Sequence, residues 1–150
     1  MAAAIFAIVL SGGVARADIT GPAIVRADSS LVVAGRIVRL FGIHIPPTER
    51  TCVSPLFPVR CKERVARALE LKIERFVRCE AKSVNPDRSI NAVCWEGVTP
   101  VSEPEDLGAW LLAQGWAVAL PDAPFEYHVL ERIAYARGLG VWGFQVDSIR

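Results

Sequence analysis

The stretch LVVAGRIVRLFGIHIPP, Leu31 to Pro47, decides how the rest of the chain is read. Leu31 to Val33 and Arg36 to Ile43 are apolar and β-branched, and Ala34-Gly35 between them supplies a tight turn, so the spacing predicts two strands of a hairpin. Alternation puts Leu31 and Val33 on one face with Val38 and Leu40, while Ile37, Arg39 and Phe41 take the other. Arg39 is thus a charge among apolar neighbours, the pattern of an arginine whose stem packs while its head stays wet. Beyond Ile43 the chain enters His44-Ile45-Pro46-Pro47, a constrained loop of the kind that carries chemistry on a rigid scaffold.

Outward from this hairpin, Ala23 to Arg26 reads as a short strand that completes a meander. His44 to Pro58 holds four prolines and Cys52, which excludes regular structure there. From about Val59 to Ile73 the period becomes helical, with Cys61, Val65, Ala68 and Leu69 on one face and Lys62, Glu63, Arg67 and Glu70 on the other. Arg75 to Val84 and Ile90 to Trp95 form a second hairpin around Asn85-Pro86-Asp87-Arg88. Ser102-Glu103-Pro104-Glu105 has the form of a capping box and predicts a helix running to Ala113 or Gln114, stopped by Gly115. Trp116 to Leu120 is a short apolar strand, and Asp122 caps a last helix from Pro124 to Arg137 with Tyr127, Leu130, Ile133 and Ala134 inward. The four tryptophans, Trp95, Trp110, Trp116 and Trp142, border apolar segments and are assigned to core and rim packing.

A chain of 150 residues suits one domain. Seventeen Lys and Arg against sixteen Asp and Glu give a net charge of +1, so there is no overall basic field and any basic site must be local. Ala2 to Leu10 is an apolar run followed by Ala15-Arg16-Ala17, the small-x-small pattern of a signal-peptidase site. Residues 1–17 are therefore expected to be a signal peptide and 18–150 a single mature domain, although no Lys or Arg follows Met1, and an uncleaved anchor is the rival reading. The run falls short of the roughly 20 apolar residues a spanning helix needs, so no stable membrane insertion is expected after cleavage. A monomer, periplasmic or secreted, is the corresponding expectation.

Four cysteines in an exported chain imply disulfides, and neither a C-x-x-C nor finger-spaced histidines favour zinc. Counting outward from a turn centred between Pro86 and Asp87 sets Cys79 opposite Cys94, close enough for a bond, which leaves Cys52 with Cys61. Paired strands, a second hairpin and three helices make an α+β chain dominated by a small antiparallel barrel.

The order and spelling of these pieces resemble the thermonuclease family, from about Ala23 to Phe144. The resemblance is carried by Val38 to Ile43, by Asp106-Leu107-Gly108-Ala109-Trp110-Leu111 with Gln114-Gly115-Trp116-Ala117, and by Tyr127, Glu131, Ala136-Arg137 and Gly140-Val141-Trp142. It implies a staphylococcal-nuclease-like fold, a five-stranded OB-type barrel with about three helices. In active members it also implies calcium-dependent phosphodiester cleavage. There carboxylates hold a hard cation, a glutamate activates water and two arginines neutralise the phosphate.

Carried onto this chain residue by residue, the resemblance is broken at the chemistry. Ala27-Asp28-Ser29-Ser30 stands where the family has Asp-Gly-Asp-Thr, so a metal-binding aspartate is Ser29. His44 stands at a second metal-ligand aspartate and Pro47 at the catalytic glutamate. Arg39 keeps the first phosphate-binding arginine, while the second falls on Ser89 unless Arg88 replaces it. The remnants are Arg39, Arg88, Glu49 and His44, with Arg39 and Arg88 as phosphate contacts and Asp28 the nearest substitute metal ligand. The expectation is therefore a nuclease-like module without calcium-dependent catalysis. No cofactor is expected, and Ca2+ enters only on the alternative reading of an atypical secreted nuclease. Single-stranded nucleic acid, an envelope protein or a glycan are the expected partners.

Overall fold

The computed structural model describes residues 18–46, 51–53, 58–97 and 103–143, with residues 51–53 and 58–62 described in backbone only. Its centre is a closed barrel of five strands. These are β1 (Asp18–Val25), β2 (Leu31–Val33), β3 (Arg36–Leu40), β7 (Phe76–Val84) and β8 (Ile90–Glu96), in spatial order β3-β2-β1-β7-β8. Closure comes from β3 pairing in parallel with β8, through Val38 with Ile90, Arg39 with Asn91 and Leu40 with Ala92. Closing the sheet removes the edges that would otherwise expose unpaired backbone. The fold is α+β, an OB-type five-stranded barrel with three helices among the described residues, as expected, but it is mixed rather than antiparallel because the β3–β8 pair that closes it is parallel.

Leu31, Val33, Val38, Val77, Cys79, Ala92 and Cys94 fill the barrel. Helix α1 (Cys61–Lys72) contributes Val65 and Leu69, and α2 (Leu107–Ala113) adds Leu107, Leu111 and Leu112. Each fully buried leucine contributes about 1.5–3 kcal/mol. The alternation of the opening hairpin is reproduced: Leu31, Val33, Val38 and Leu40 are buried, and Arg39 points outward. Cys79 lies opposite Cys94 and is bonded to it. The partner pairing, Cys52 with Cys61, falls on side chains outside the described residues, as does the expected signal peptide at residues 1–17.

Several boundaries differ from the sequence reading, each for a local reason. β1 is longer than Ala23 to Arg26 because Gly21 and Pro22, which weaken the strand pattern, are carried by pairing with β7: Gly21 sits opposite Val77 and Pro22 opposite Phe76. The strand expected to reach Ile43 stops at Leu40. Gly42 adopts a φ of 74° and turns the chain into β4 (Ile43–His44), which pairs with β10 (Val118–Ala119). A side chain at Gly42 would press on Ala123 and the Tyr127 ring.

Helix α2 starts later than the capping-box pattern implies, because Glu105–Asp106 forms a short strand, β9, against Trp95 and Glu96. Asp106 is the cap: its Oδ1 accepts from the backbone N–H of Gly108 at 2.8 Å and of Ala109 at 3.2 Å. Asp122 does not cap α3 (Phe125–Ala136) either. Pro124 takes the N-cap position without a side-chain bond. On α3, Tyr127 and Ala134 are buried as predicted and Leu130 packs against the core, but Ile133 is 42% exposed. The segment from His44 to Pro58, expected without regular structure, instead holds β5 (Thr51–Val53), which pairs with β6 (Pro58–Arg60) through Thr51 with Arg60 and Cys52 with Val59, so α1 begins at Cys61 rather than about Val59.

Candidate functional site

Two turns of the same construction flank Arg39. Arg26 to Ser30 joins β1 to β2, and Asn85 to Ser89 joins β7 to β8. In each, the first residue and the fifth are closed by a backbone bond of 2.8 Å, Arg26 N–H to Ser30 and Asn85 N–H to Ser89. The third residue is an aspartate whose Oδ1 accepts from the N–H and hydroxyl of the fifth: Asp28 from Ser30 at 3.2 and 2.6 Å, Asp87 from Ser89 at 3.0 and 2.6 Å. The fourth is left-handed, with φ of 62° at Ser29 and 66° at Arg88. Such turns suit aspartate and serine because their short side chains bond the backbone two residues away. Leu31 and Ile90, the residues that follow, both pair with Val38, so β3 is held between the two turns and Arg39 emerges there.

The Arg39 guanidinium is tied down on one side. Its Nε donates to Ser89 Oγ at 3.2 Å and its Nη2 to Asp87 Oδ2 at 3.4 Å, while 45% of the side chain stays exposed. Asn85 donates to Ser89 Oγ at 2.9 Å and exchanges bonds of 3.0 Å with Asn91, which also donates to Ser83. The hydroxyl and then the backbone N–H of Ser89, followed by Arg39, hold the Asp87 carboxyl below its usual range. Burial by itself would raise Asp28, but the Ser30 hydroxyl and N–H, with Arg26 and Arg39, outweigh it and keep that carboxyl low as well. Both aspartates are therefore ionised at neutral pH and committed to their turns.

Arg39 opens onto a cleft of about 460 Å³ lined also by Asp28, Ser29, His44, Asn91 and Asp122. His44 is exposed there, on β4. Ser29 is 3% exposed, and its hydroxyl finds no partner among the described residues. Arg39, His44 and Asp28 are thus brought to one cleft. Arg88 sits exposed in its turn and does not line it, and Pro47 and Glu49 lie outside the described residues. Among the described residues no group of three or more His, Cys, Asp or Glu side chains is placed to share a cation.

No model of a known protein family matches the chain, and no curated protein matches it. The barrel and its three helices agree with the OB-type architecture that the thermonuclease resemblance implies, and the arrangement around Arg39 must speak for itself. Chemically, the cleft offers one partly free guanidinium, hydroxyl and amide groups, an imidazole and the carboxylates of Asp28 and Asp122. That set can hold an anionic oxygen by charge-assisted hydrogen bonds. Asp87 and Asp122 are the site residues that the sequence reading passed over. The repeated D-x-S of Asp28-Ser29-Ser30 and Asp87-Arg88-Ser89 was the available signal for the first, and Asp122 gave none beyond its apparent role as a helix cap.

Proposed function

We propose that the chain is an exported, nuclease-like OB module that binds single-stranded nucleic acid through the Arg39 cleft without calcium-dependent hydrolysis of it. The observation that carries this reading is the state of the charged groups. Arg39 keeps nearly half of its side chain open to a cleft on the barrel surface, whereas Asp28 and Asp87 spend their Oδ1 lone pairs on Ser30 and Ser89. The thermonuclease resemblance supports the barrel groove as the place for a phosphate, and Ser29, His44 and Pro47 at the family's acidic positions support binding without turnover. The Cys79–Cys94 disulfide is compatible with an oxidising compartment, and among the described residues no helix is long and apolar enough to cross a membrane.

Fluorescence anisotropy of labelled single-stranded DNA and RNA, across a salt series, tests the binding. Affinity should fall with a log–log slope of about −0.7 per phosphate neutralised, and Arg39→Ala should remove it. Binding that is absent or indifferent to salt overturns the reading. The alternative, an atypical nuclease, is favoured by His44 and Arg39 sharing the cleft. Cleavage that requires calcium, stops with chelator and disappears in Arg39→Ala would establish it instead.

A further inference from the structure

The outer face of the barrel carries a continuous apolar stripe on the side of β1, well apart from the turn that holds Asp87. Strand register assembles it: Pro22 of β1 faces Phe76 of β7, Ile24 of β1 faces Val32 of β2, and Val32 faces Ile37 of β3. Pro22 and Ile24 are two residues apart on one strand and so point the same way. Ile24 is 67% exposed, Phe76 53% and Ile37 36%. The inward positions of the same strands, Ile19, Leu31, Val33, Val38 and Val77, already supply the core, so barrel packing does not account for these outward side chains.

The border of the stripe is basic. Arg26 follows Ile24 by two residues, Arg75 precedes Phe76, and Arg78 follows Phe76 by two along β7. All three are exposed; Glu74 adjoins Arg75, and on the same outward face Glu80 follows Arg78 by two residues, opposite Asp18 of β1 and bonded to Lys82 at 2.8 Å. The Arg78 guanidinium lies over the Trp95 ring, 5.2 Å from its centroid, which extends the apolar ground beneath a positive charge.

We propose that this stripe is a docking surface for an anionic lipid bilayer. Ile24 and Phe76 would enter the boundary between headgroups and acyl chains while Arg26, Arg75 and Arg78 meet the lipid phosphates. Charge complementarity carries the choice of partner, because exposed apolar side chains flanked by three arginines, with Glu80 held by Lys82, match an interface that is apolar below and anionic above. Single-stranded nucleic acid fits less well: Pro22, Ile24, Val32 and Ile37 are aliphatic, Phe76 is the one exposed aromatic of the stripe and Arg78 lies over the Trp95 ring, whereas bases stack on open aromatic faces. The convex barrel wall also suits a fluid surface, which deforms around it. This is peripheral association on a face that Ile37 shares with Arg39, two residues along β3, and the oligonucleotide affinity of Phe76→Ser separates it from the Arg39 cleft.

The test is sedimentation of the full chain with vesicles of phosphatidylcholine alone and of phosphatidylcholine mixed with phosphatidylglycerol. Binding should require the anionic lipid and weaken with salt. Ile24→Ser and Phe76→Ser should each lower the partition coefficient about tenfold, and Arg78→Gln about fivefold. Phe125→Ser, on α3 and 74% exposed, should leave it unchanged. All variants carry the same residues 2–10, so any contribution of that apolar run cancels in the comparison. The proposal is overturned by equal binding to both vesicles, by indifference to Ile24→Ser and Phe76→Ser, or by no binding. It is equally overturned by a concentration-dependent dimer that Ile24→Ser dissociates, since a second copy would then own the surface, or by loss of oligonucleotide affinity in Phe76→Ser.

Discussion

The Arg39 guanidinium is shared between the open cleft and the Asp87 carboxylate, 3.4 Å from its Nη2. A phosphate entering the cleft must compete with Asp87 for that charge. Both side chains face solvent, so the pair is screened and adds little to stability. Asp87→Asn keeps the Oδ1 acceptor that closes the turn and removes the competing charge. It should raise oligonucleotide affinity severalfold, with a melting temperature unchanged to within about 2 °C. Titration by anisotropy and a thermal scan check the two halves.

The pH dependence of that competition follows from the same contacts. Because the Asp87 carboxyl is held below the usual range, the pair persists as pH falls through about 4, where ordinary carboxylates protonate. Its contribution is present above the unfolded-state value and lost only as pH drops through the lower folded one. Carbon-13 NMR of the Asp87 carboxyl should show a midpoint below the roughly 3.9 of an aspartate in an unstructured peptide. In Arg39→Ala the midpoint should move up only slightly, since Ser89 is the larger cause.

Cys79 and Cys94 face each other across β7 and β8 with Cα atoms 4.0 Å apart and a sequence separation of 15. A closed loop of this length restricts the unfolded chain by about 3 kcal/mol. The Cys79→Ala, Cys94→Ala double variant should lose about that much in urea unfolding, with oligonucleotide binding retained at temperatures where it stays folded. A loss under about 1 kcal/mol would mean that the denatured ensemble is already restricted there.

Asp106 serves two elements at once, capping α2 and accepting from the Tyr127 hydroxyl of α3 at 2.7 Å. Asp106→Ala should cost about 2–4 kcal/mol, the sum of a lost cap and an orphaned buried hydroxyl. Burial, and then the bond to Asp106 and its negative charge, push the Tyr127 hydroxyl far above its ordinary range. A phenol raised in the folded state contributes stability that is complete below about pH 10 and lost as pH rises beyond it. The alkaline decline in urea midpoint should therefore shrink in Tyr127→Phe.

Gly115 has a φ of 73°, and a β-carbon there would collide with the backbone of Leu139. Its carbonyl accepts from Val141 N–H at 2.8 Å, tying the end of α2 to the closing turn, Gly140–Gly143. Gly115→Ala should destabilise by more than about 2 kcal/mol, because it combines left-handed strain with a backbone clash. Denaturant unfolding measures this directly.

Residues close in sequence carried their own instructions. The alternation of Leu31, Val33, Val38 and Leu40 set the inward face before any partner strand was known, since a strand reverses its side chains at every residue. The spacing of Cys79 and Cys94 about Asn85-Pro86-Asp87-Arg88 likewise set the disulfide. It did so because two departures offset each other: the turn is centred on Asp87, with Val84 opposite Ile90, and the slip between Ala81 and Ser83 brings Cys79 back opposite Cys94. That Ser29, His44 and Pro47 carry no carboxylate is also a property of the sequence.

What depended on distance along the chain needed the fold. Val38 pairing with both Leu31 and Ile90 closes the barrel and sets Arg39 between two turns, and the later of these begins 46 residues beyond it, at Asn85. Asp87 therefore meets Arg39 through strand pairing that no local pattern encodes. The helix caps fall on other residues than Ser102 and Asp122 for the same reason. Asp106 and Asp122 can each cap a helix by their chemistry, but only β9 pairing with β8 delivers Asp106 to the start of α2 and leaves Asp122 at the cleft. Sequence determined which residues prefer each face and turn; tertiary structure decided which charges meet, because closing a barrel brings together segments that share no local period.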